Sequence, residues 1–131
     1  MLSDPIADFI IRLKNAQLVG RRLVLAPYSE LKQAIAEALI HAGLIKSAQK
    51  KGKKVRKSLE VELIYAADGA PRIRAVRRIS KPSRRVYRPV SQIRAVRHGY
   101  GFGFYSTPKG ILTDRAAREQ KVGGEYLFEI W

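Results

Sequence analysis

Residues 98–110, HGYGFGFYSTPKG, decide how the C-terminal half of this chain is interpreted. Glycine and aromatic residues alternate from Gly99 to Phe104, and a polar turn follows them. Three structures compete for the pattern. They are the aromatic strand of an RNA-recognition module, a glycine loop that binds a phosphate, and a buried strand that positions the loop after it.

The RNA-recognition pattern is matched only in part. Such a module carries K/R-G-F/Y-G/A-F-V-x-F/Y on a central strand, where the aromatic rings stack on bases. The stretch agrees from Gly99 to Phe102 and at Tyr105, but it departs from the pattern at His98 and at Gly103. The module also needs a helix and a strand before this motif, whereas residues 72–97 carry two prolines and ten basic residues. Because bulky rings on one strand face are favoured inside a protein, the stretch GYGFGFY is predicted to be a buried strand.

The other two structures are judged from local chemistry. GYGFG lacks the spacing G-x-x-x-x-G-K-[ST] and the strand-to-helix transition that directs backbone amides at a phosphate. The turn STPKG, residues 106–110, offers two hydroxyls, a rigid proline and a lysine. Hydroxyls can bond to base edges, sugars and phosphates, and Lys109 can neutralise a phosphate. By this chemistry alone the turn suits an RNA contact and a plain hairpin equally.

Net charge narrows the class of partner. The 131 residues contain 26 lysines and arginines against 11 acids, a formal charge of +15. No acid occurs from Gly69 to Thr113, a range that holds eleven basic residues, and residues 46–57 add seven more. Charge that only aids solubility is usually mixed in sign. The distribution therefore predicts a polyanionic partner, with nucleic acid ahead of a membrane surface.

Other classes of function find little support in the composition. There is no cysteine, which excludes disulfides and thiolate zinc sites. The first ten residues carry early acids and no long apolar run, so we do not expect a signal peptide. The two histidines, His41 and His98, lie far apart, and the acids are scattered without a metal-ligand spacing. We predict no enzyme, no cofactor and no metal site.

Hydrophobic periodicity predicts an αβαββ lobe over residues 1–66. A helix at residues 3–17 has Ser3 or Asp4 as its cap and an apolar stripe of Ile6, Phe9, Ile10 and Leu13. A second helix runs from the cap Ser29 to the terminator Gly43, with Leu31, Ala34, Ile35, Ala38 and Leu39 as its stripe. Strands are predicted at residues 21–27, 44–49 and 57–65, the last two flanking the turn KKGKK at 50–54.

Residues 67–131 are predicted to form a C-terminal β-rich RNA-binding lobe. The segment AADGAPR at 66–72 is the best linker candidate. A short helix is expected after the cap Thr113, and EYLFEIW at 125–131 closes the chain as a strand with Tyr126, Phe128 and Ile130 on one face. The fold class is therefore α+β, with an N-terminal αβαββ lobe and a mostly antiparallel β lobe that holds one short helix.

The motifs together resemble one family. STPKG, TDRAAR and VGGEYLFEIW resemble the C-terminal signature of the eighth protein of the small ribosomal subunit, bacterial type. SDPIADFIIRLKNAQ and SELKQAIAEALIHAGLI resemble its N-terminal lobe, and RRISKPSRRVY resembles the segment between them. The resemblance covers essentially the whole chain, in order and at the family spacing.

This resemblance implies a structural ribosomal protein without catalysis, in the small subunit of cytoplasmic ribosomes. It implies direct binding to the central domain of small-subunit ribosomal RNA and a part in assembly of the subunit platform. The implied neighbours are the fifth and twelfth proteins of the same subunit. The protein's own operon mRNA is a further partner in some bacteria, and no membrane is involved. The rivals are a component held mainly by protein contacts, an RNA-binding regulator outside the ribosome, and a generic nucleic-acid binder.

The resemblance also implies the RNA-binding residues. The central set is Ser106, Thr107, Lys109 and Gly110 of the turn that also holds Pro108, joined by Tyr87 and by Glu125, an acid that helps to hold the site or accepts from RNA. The acid-free basic stretch adds Lys81, Arg84 and Arg85 to the predicted RNA-binding residues. In the first lobe the matching positions are Asp4, Arg12, Asn15, Ser29 and Lys32. Two departures stand out, since Pro108 replaces a usual serine and aromatic residues replace an aliphatic strand. We expect arginines and lysines to supply most of the affinity and the turn to supply specificity.

Overall fold

The computed structural model describes residues 4–52 and 56–131. Its helices are α1 (Pro5–Leu18), α2 (Glu30–His41) and α3 (Asp114–Glu119). Its strands are β1 (Leu23–Pro27), β2 (Ile45–Lys51), β3 (Ser58–Leu63), β4 (Val76–Arg78), β5 (Tyr87–Arg88), β6 (Phe102–Thr107), β7 (Gly110–Thr113) and β8 (Gly124–Ile130). The predicted α+β class is confirmed. The candidate cap Ser3 and the last two lysines of KKGKK lie outside the described residues.

Internal contacts divide the chain into two compact units. The N-terminal unit is Asp8–Arg74, and the C-terminal unit combines the residues up to Ala7 with Ala75–Trp131. The predicted lobes, 1–66 and 67–131, differ from these units in the first seven residues and in residues 67–74. That each lobe is a domain in its own right stays a prediction.

The N-terminal unit contains an antiparallel sheet in the order β1-β3-β2. The strand β3 alternates as predicted, with Leu59, Val61 and Leu63 buried. The predicted α1 stripe, whose first residue belongs to the C-terminal unit, is buried at all four positions, because the i, i+3, i+4, i+7 spacing brings them to one face of the helix: Ile6, Phe9, Ile10 and Leu13. In α2 the prediction is wrong at Leu31, which is 44% exposed, because the stripe turns into the core only from Ile35 onward.

Residues 64–74 are tied into the N-terminal unit by one buried amide. The Gln17 side chain donates from Nε2 to the Ile64 carbonyl at 2.8 Å and accepts from the Ile73 amide at 2.6 Å. Between these points Ala66 donates to the Ala70 carbonyl at 2.9 Å, which closes a turn. The segment that the sequence suggested as a linker is therefore a tight turn whose two ends are held by Gln17.

The C-terminal unit is built around β8. The strands are ordered β4-β8-β6-β7, and β5 also pairs with β8. The pairing of β6 with β8 shifts register between Phe104 and Tyr105. On one face Phe104 stacks on Phe128 at 4.9 Å between ring centroids, and on the other Tyr105 stacks on Tyr126 at 4.4 Å. The predicted common face for Tyr126 and Phe128 is therefore wrong, because a sequence pattern of period two does not reveal a bulge.

The aromatic stretch is buried over only part of the predicted length. Phe104 and Tyr105 are 0% and 1% exposed, which confirms the buried-strand interpretation there. Tyr100 precedes β6 and is 88% exposed, so the prediction is wrong at that position. Gly103 leaves room for the tyrosine rings, since a Cβ atom there would lie 3.1 Å from the Tyr126 hydroxyl oxygen, a tight contact.

Candidate nucleic-acid interface

Most acids of the C-terminal unit are neutralised by arginines. Four ion pairs occur among its described residues: Asp4–Arg78, Glu125–Arg85, Glu129–Arg77 and Asp114–Arg118. Several basic side chains of this unit make no ion pair within residues 4–52 and 56–131, namely Lys81, Arg84, Arg88, Arg94, Arg97, Lys109, Arg115 and Lys121. The excess positive charge of this unit is therefore available to an external polyanion.

The turn between β6 and β7 is a tight hairpin turn. Thr107 pairs with Gly110, which leaves Pro108 and Lys109 at the tip, both exposed. Proline presets the backbone at the first tip position, and Gly110 has φ +109°, which a glycine adopts without strain. The Thr107 hydroxyl accepts from the Lys109 amide at 3.1 Å and donates to the Gly110 carbonyl at 2.8 Å. Proline, threonine and glycine together fix the direction in which Lys109 leaves the turn.

Three predicted site residues from separate segments occupy one row of the sheet. Ser106 of β6 pairs with Glu125 of β8, and Glu125 pairs on its other side with Tyr87 of β5. Neighbouring strands lie about 4.8 Å apart, so this row spans about 10 Å. Tyr87 is 64% exposed and Ser106 is half-buried. We call this row, together with the turn Thr107–Gly110, the turn surface.

Glu125 anchors the basic segment that precedes Tyr87. Its Oε2 atom accepts a short hydrogen bond from the Ser80 hydroxyl and another from Arg85 Nη1 at 3.4 Å. The Ser80 oxygen in turn accepts from the Val86 amide at 3.1 Å. Ser80 is fully buried, whereas Arg85 and its neighbours Lys81 and Arg84 are exposed. The carboxylate thus holds both ends of an arch, residues 80–86, that presents three cations.

Two adjacent glycines make the row possible. A Cβ atom on Gly124 would lie 2.1 Å from the Ser106 carbonyl oxygen, and one on Gly123 would lie 2.4 Å from the Arg88 carbonyl oxygen. No side chain fits at either distance. The two glycines of VGG therefore allow β8 to approach β5 and β6 closely enough to align Glu125 with Tyr87 and Ser106.

The stacked tyrosines beneath the turn stay uncharged. Burial raises the pKa of Tyr105 to about 12. Burial, followed by the 2.6 Å hydrogen bond that Tyr126 donates to Glu129, raises the pKa of Tyr126 as well. Both rings therefore act as neutral packing elements below the turn surface at physiological pH.

In the N-terminal unit the predicted residues have local partners. Ser29 caps α2, accepting from the Lys32 amide at 3.1 Å, as predicted. Lys32 donates from Nζ to the Pro27 carbonyl at 3.1 Å, and Arg12 donates from Nη1 to the Leu25 carbonyl at 3.1 Å. Arg12 and Asn15 line a groove of about 880 Å³ beside β1. Their role in binding RNA stays a prediction.

Asp4 has a structural position in the C-terminal unit. Its carboxylate caps α1 through the Ala7 amide at 3.2 Å and pairs with Arg78 Nε at 3.0 Å. The Arg78 side chain is 8% exposed and also donates to the Leu127 carbonyl. The capping part of the prediction is confirmed. A direct RNA contact by Asp4 stays a prediction.

Two residues of the C-terminal unit, Ser80 and Tyr100, have positions that the local sequence does not predict. Ser80 binds Glu125 although the two are 45 residues apart, and no local pattern signals that contact. Tyr100 falls within the stretch that its alternation with glycine predicts to be buried, yet it is 88% exposed. Phe102 lies between two glycines in the same way, so the local pattern does not distinguish the two positions.

Comparison with known proteins identifies the family. The sequence model described as Ribosomal protein S8 matches residues 4–131. The chain belongs to the ribosomal protein S8 family. Small ribosomal subunit protein uS8 of Ruthia magnifica subsp. Calyptogena magnifica is 44% identical over 130 residues, which cover 99% of this chain and 98% of that protein. The protein of the same name from Afipia carboxidovorans is 43% identical over 129 residues, covering 98% and 97%.

Family membership confirms two predictions from the sequence. The resemblance to the eighth small-subunit protein is correct, and this chain is a structural ribosomal protein of the S8 family and not an enzyme. Among the described residues no helix is both long and apolar enough to cross a membrane.

Proposed function

We propose that this protein binds directly to the central domain of small-subunit ribosomal RNA and helps to assemble the subunit platform. In that position it would lie beside the fifth and twelfth proteins of the subunit, and its own operon mRNA is a second RNA target. The observation that carries the proposal is the row Ser106–Glu125–Tyr87, next to the lysine-bearing turn and the cationic arch. Relatives named as small ribosomal subunit proteins support the assignment to that particle.

The turn surface has the chemistry to recognise an RNA minor groove. An A-form helix displays 2′-hydroxyls and base edges in a shallow minor groove, and irregular regions expose unstacked bases. The Ser106 hydroxyl makes no hydrogen bond within residues 4–52 and 56–131, so it is available to donate to or accept from such groups. Tyr87 offers an exposed ring for stacking on a base. Lys109 is exposed at the tip of the turn, where its ammonium group can pair with a phosphate. Short polar groups of this kind provide specificity.

The arginines and lysines supply most of the affinity in this proposal. Each phosphate that is neutralised releases counterions, so binding weakens steeply with salt. Arg84 is exposed on the arch without an acid partner among the described residues, whereas Arg85 forms an ion pair with Glu125. Arg84 is therefore assigned to phosphate neutralisation, and Arg85 to both the arch and the RNA.

Chemical footprinting of naked small-subunit RNA, with and without the protein, tests the proposal. We expect protection confined to one part of the central domain. Ser106→Ala should weaken binding to the cognate RNA by about 1 kcal/mol, roughly fivefold, and leave binding to a scrambled helix unchanged. Arg84→Ala should weaken both and reduce the salt slope by about one. Arg115→Ala, on the exposed side of α3, is the control for loss of one positive charge.

Three results would contradict the proposal. A component held by protein contacts would fail to protect naked RNA. A regulator that acts outside the ribosome would be absent from small subunits after a high-salt wash. A generic binder would show equal affinity for DNA and RNA, and Ser106→Ala would then have no cognate-specific effect.

A further inference from the structure

The exposed ring of Tyr100 lies in a short loop that the proposed function leaves unused. Its neighbours Arg94, Arg97 and His98 are exposed, whereas Ile93 and Val96 are buried and anchor the loop. Tyr100 itself is 88% exposed, the highest value among the large hydrophobic residues described. An apolar ring of this size is usually buried when packing allows it.

The backbone of this loop directs Tyr100 outward. Arg97, His98 and Gly99 have φ values of +50°, +57° and +96°, so two residues other than glycine adopt the left-handed conformation in succession. Such residues cost about 1 kcal/mol or more each and persist only where the surroundings enforce them. Here the Val96 carbonyl accepts from both the Gly99 and the Gly101 amides, each at 3.0 Å. A tightly closed loop therefore fixes the backbone position from which the Tyr100 side chain projects.

One cation of the loop is held in place. The Arg97 guanidinium lies 4.2 Å from the centre of the Trp131 ring, and Trp131 is bonded through its backbone to Ala75 at 2.8 and 3.0 Å. Gly101 permits the close return of the chain, since a Cβ atom there would lie 2.8 Å from Val96 Cγ1. The loop therefore keeps one geometry before any partner binds, which lowers the entropic cost of binding.

The charge around Tyr100 selects an anionic partner. No acid occurs in the sequence from Gly69 to Thr113. Two acids lie beside Gly103 in β6, and both are engaged. The Glu129 carboxylate accepts from the Tyr126 hydroxyl and pairs with Arg77, and the buried Asp114 carboxylate accepts from the Gly103 amide at 3.0 Å and pairs with Arg118. A protein-binding surface would need further apolar neighbours, and among residues 94–99 the only exposed apolar side chain is Ala95. Two arginines lie close to Tyr100 in the chain: Arg97, over the Trp131 ring, and Arg94, whose Nη1 donates to the Ser91 carbonyl at 3.2 Å. An exposed aromatic ring on a loop that carries arginines is a usual platform for an unpaired base with its phosphates.

We propose that Tyr100 stacks on an unpaired base of the RNA, with Arg94 and Arg97 on the adjacent phosphates. This inference rests on the proposed function and adds a second contact to it. Tyr100 precedes β6, and the turn Pro108–Lys109 follows it. Six residues of strand span about 20 Å, so the two contacts lie at opposite ends of β6 and touch different RNA segments.

Binding of tyrosine variants to in vitro transcribed small-subunit RNA tests the inference. Tyr100→Ala should weaken binding about five- to 150-fold, the range measured for loss of one base-stacking ring. Tyr100→Phe should retain binding, whereas Tyr100→Leu should not, because it keeps apolar bulk without a π face. Leu18→Ala, which removes an exposed apolar side chain in α1, is the control and should bind like the wild type. All variants should unfold at the wild-type temperature, which excludes misfolding.

Two further measurements locate the contact. Ultraviolet cross-linking followed by tryptic digestion should place a nucleotide on Tyr100 within the peptide 98–109. Footprinting with Tyr100→Ala should lose one protected segment and retain the segment protected by the turn surface. If Tyr100→Ala binds the RNA with an affinity within twofold of the wild type, this inference is overturned and the proposed function is not. A defect of Tyr100→Ala only in incorporation into whole subunits would indicate a protein contact and overturn it too. Failure of the wild type to bind naked RNA would overturn both proposals.

Discussion

Replacing Glu125 by glutamine separates two roles that an acid can have at an RNA-binding surface. If Glu125 only repels phosphates, its neutralisation should tighten binding. If it holds the arch 80–86, its neutralisation should weaken cognate binding while a freed Arg85 strengthens nonspecific binding. The structure favours the second role, because Oε2 accepts from both the Ser80 hydroxyl and Arg85 Nη1.

Loss of the positioning role and loss of the repulsion change the free energy of RNA binding in opposite directions, and the first change is the larger. In Glu125→Gln a charge-assisted hydrogen bond to buried Ser80 becomes a neutral one, which removes about 1 kcal/mol of the free energy that holds the arch. Loss of the half-exposed ion pair with Arg85 removes at most about 0.5 kcal/mol more. If the arch is needed for cognate binding, affinity falls by roughly five- to twelvefold. Removing a negative charge about 10 Å from a phosphate gains only about 0.4 kcal/mol in water, and salt reduces that gain.

Filter binding at several salt concentrations, with the cognate RNA and a scrambled helix, measures both effects. We expect Glu125→Gln to weaken cognate binding and to tighten binding to the scrambled helix, with a steeper salt dependence. Glu119→Gln is the matched control, since it changes the net charge equally at an exposed position of α3. Equal tightening on both RNAs by both variants would refute the positioning role of Glu125.

Three further predictions follow from the C-terminal unit. Gly124→Ala should lower the free energy of unfolding by about 3 kcal/mol or more in urea titrations, because its Cβ atom would lie 2.1 Å from the Ser106 carbonyl oxygen. Thr107→Val should weaken cognate RNA binding by about 1 kcal/mol and Thr107→Ser should not, because only serine keeps the hydroxyl that bonds Gly110 in the turn. Stability should fall above pH 10, because Tyr105, with a pKa of about 12, keeps a proton that the unfolded chain releases. Tyr105 contributes up to about 1.4 kcal/mol per pH unit between pH 10 and about 12, and Tyr126, whose pKa burial also raises, adds to the loss.

Each of these predictions has its own control. Gly20→Ala places a Cβ in open space at φ +77° and should cost only about 1 kcal/mol, so equal losses would contradict the close-approach argument. Wild-type affinity of Thr107→Val would show that the turn keeps its shape without the hydroxyl. Tyr105→Phe should make the alkaline loss of stability less steep and leave the part due to Tyr126, and an unchanged slope would show that Tyr105 does not contribute.

The sequence predicted the elements well where a local rule controls them. Ser29 and Thr113 cap helices because their hydroxyls accept from an amide three residues on, at 3.1 Å in both cases. The α1 stripe and the alternation in β3 are equally local. The prediction failed at Leu31, at the faces of β8 and at Tyr100, where packing overrides periodicity. In β8 the cause is a register shift, which depends on the partner strand.

The residues of the turn surface show the same division. STPKG and VGG are visible as motifs, and the resemblance of those motifs to one family points to the turn. That Ser106, Glu125 and Tyr87 share a row depends on the pairing of three strands whose residues are distant in the chain. The anchoring of the arch depends on the contact of Ser80 with Glu125, which local sequence does not encode.

Sequence by itself determined the excess of positive charge, the helix caps, the turn chemistry and the family, because each depends on residue type or short spacing. Only the tertiary structure decided which of the other charges are free and which are paired, since Asp4, Glu125 and Glu129 each meet an arginine that is distant in the chain. It also decided that Tyr100 faces solvent, because a closed loop and not alternation sets the direction of that ring.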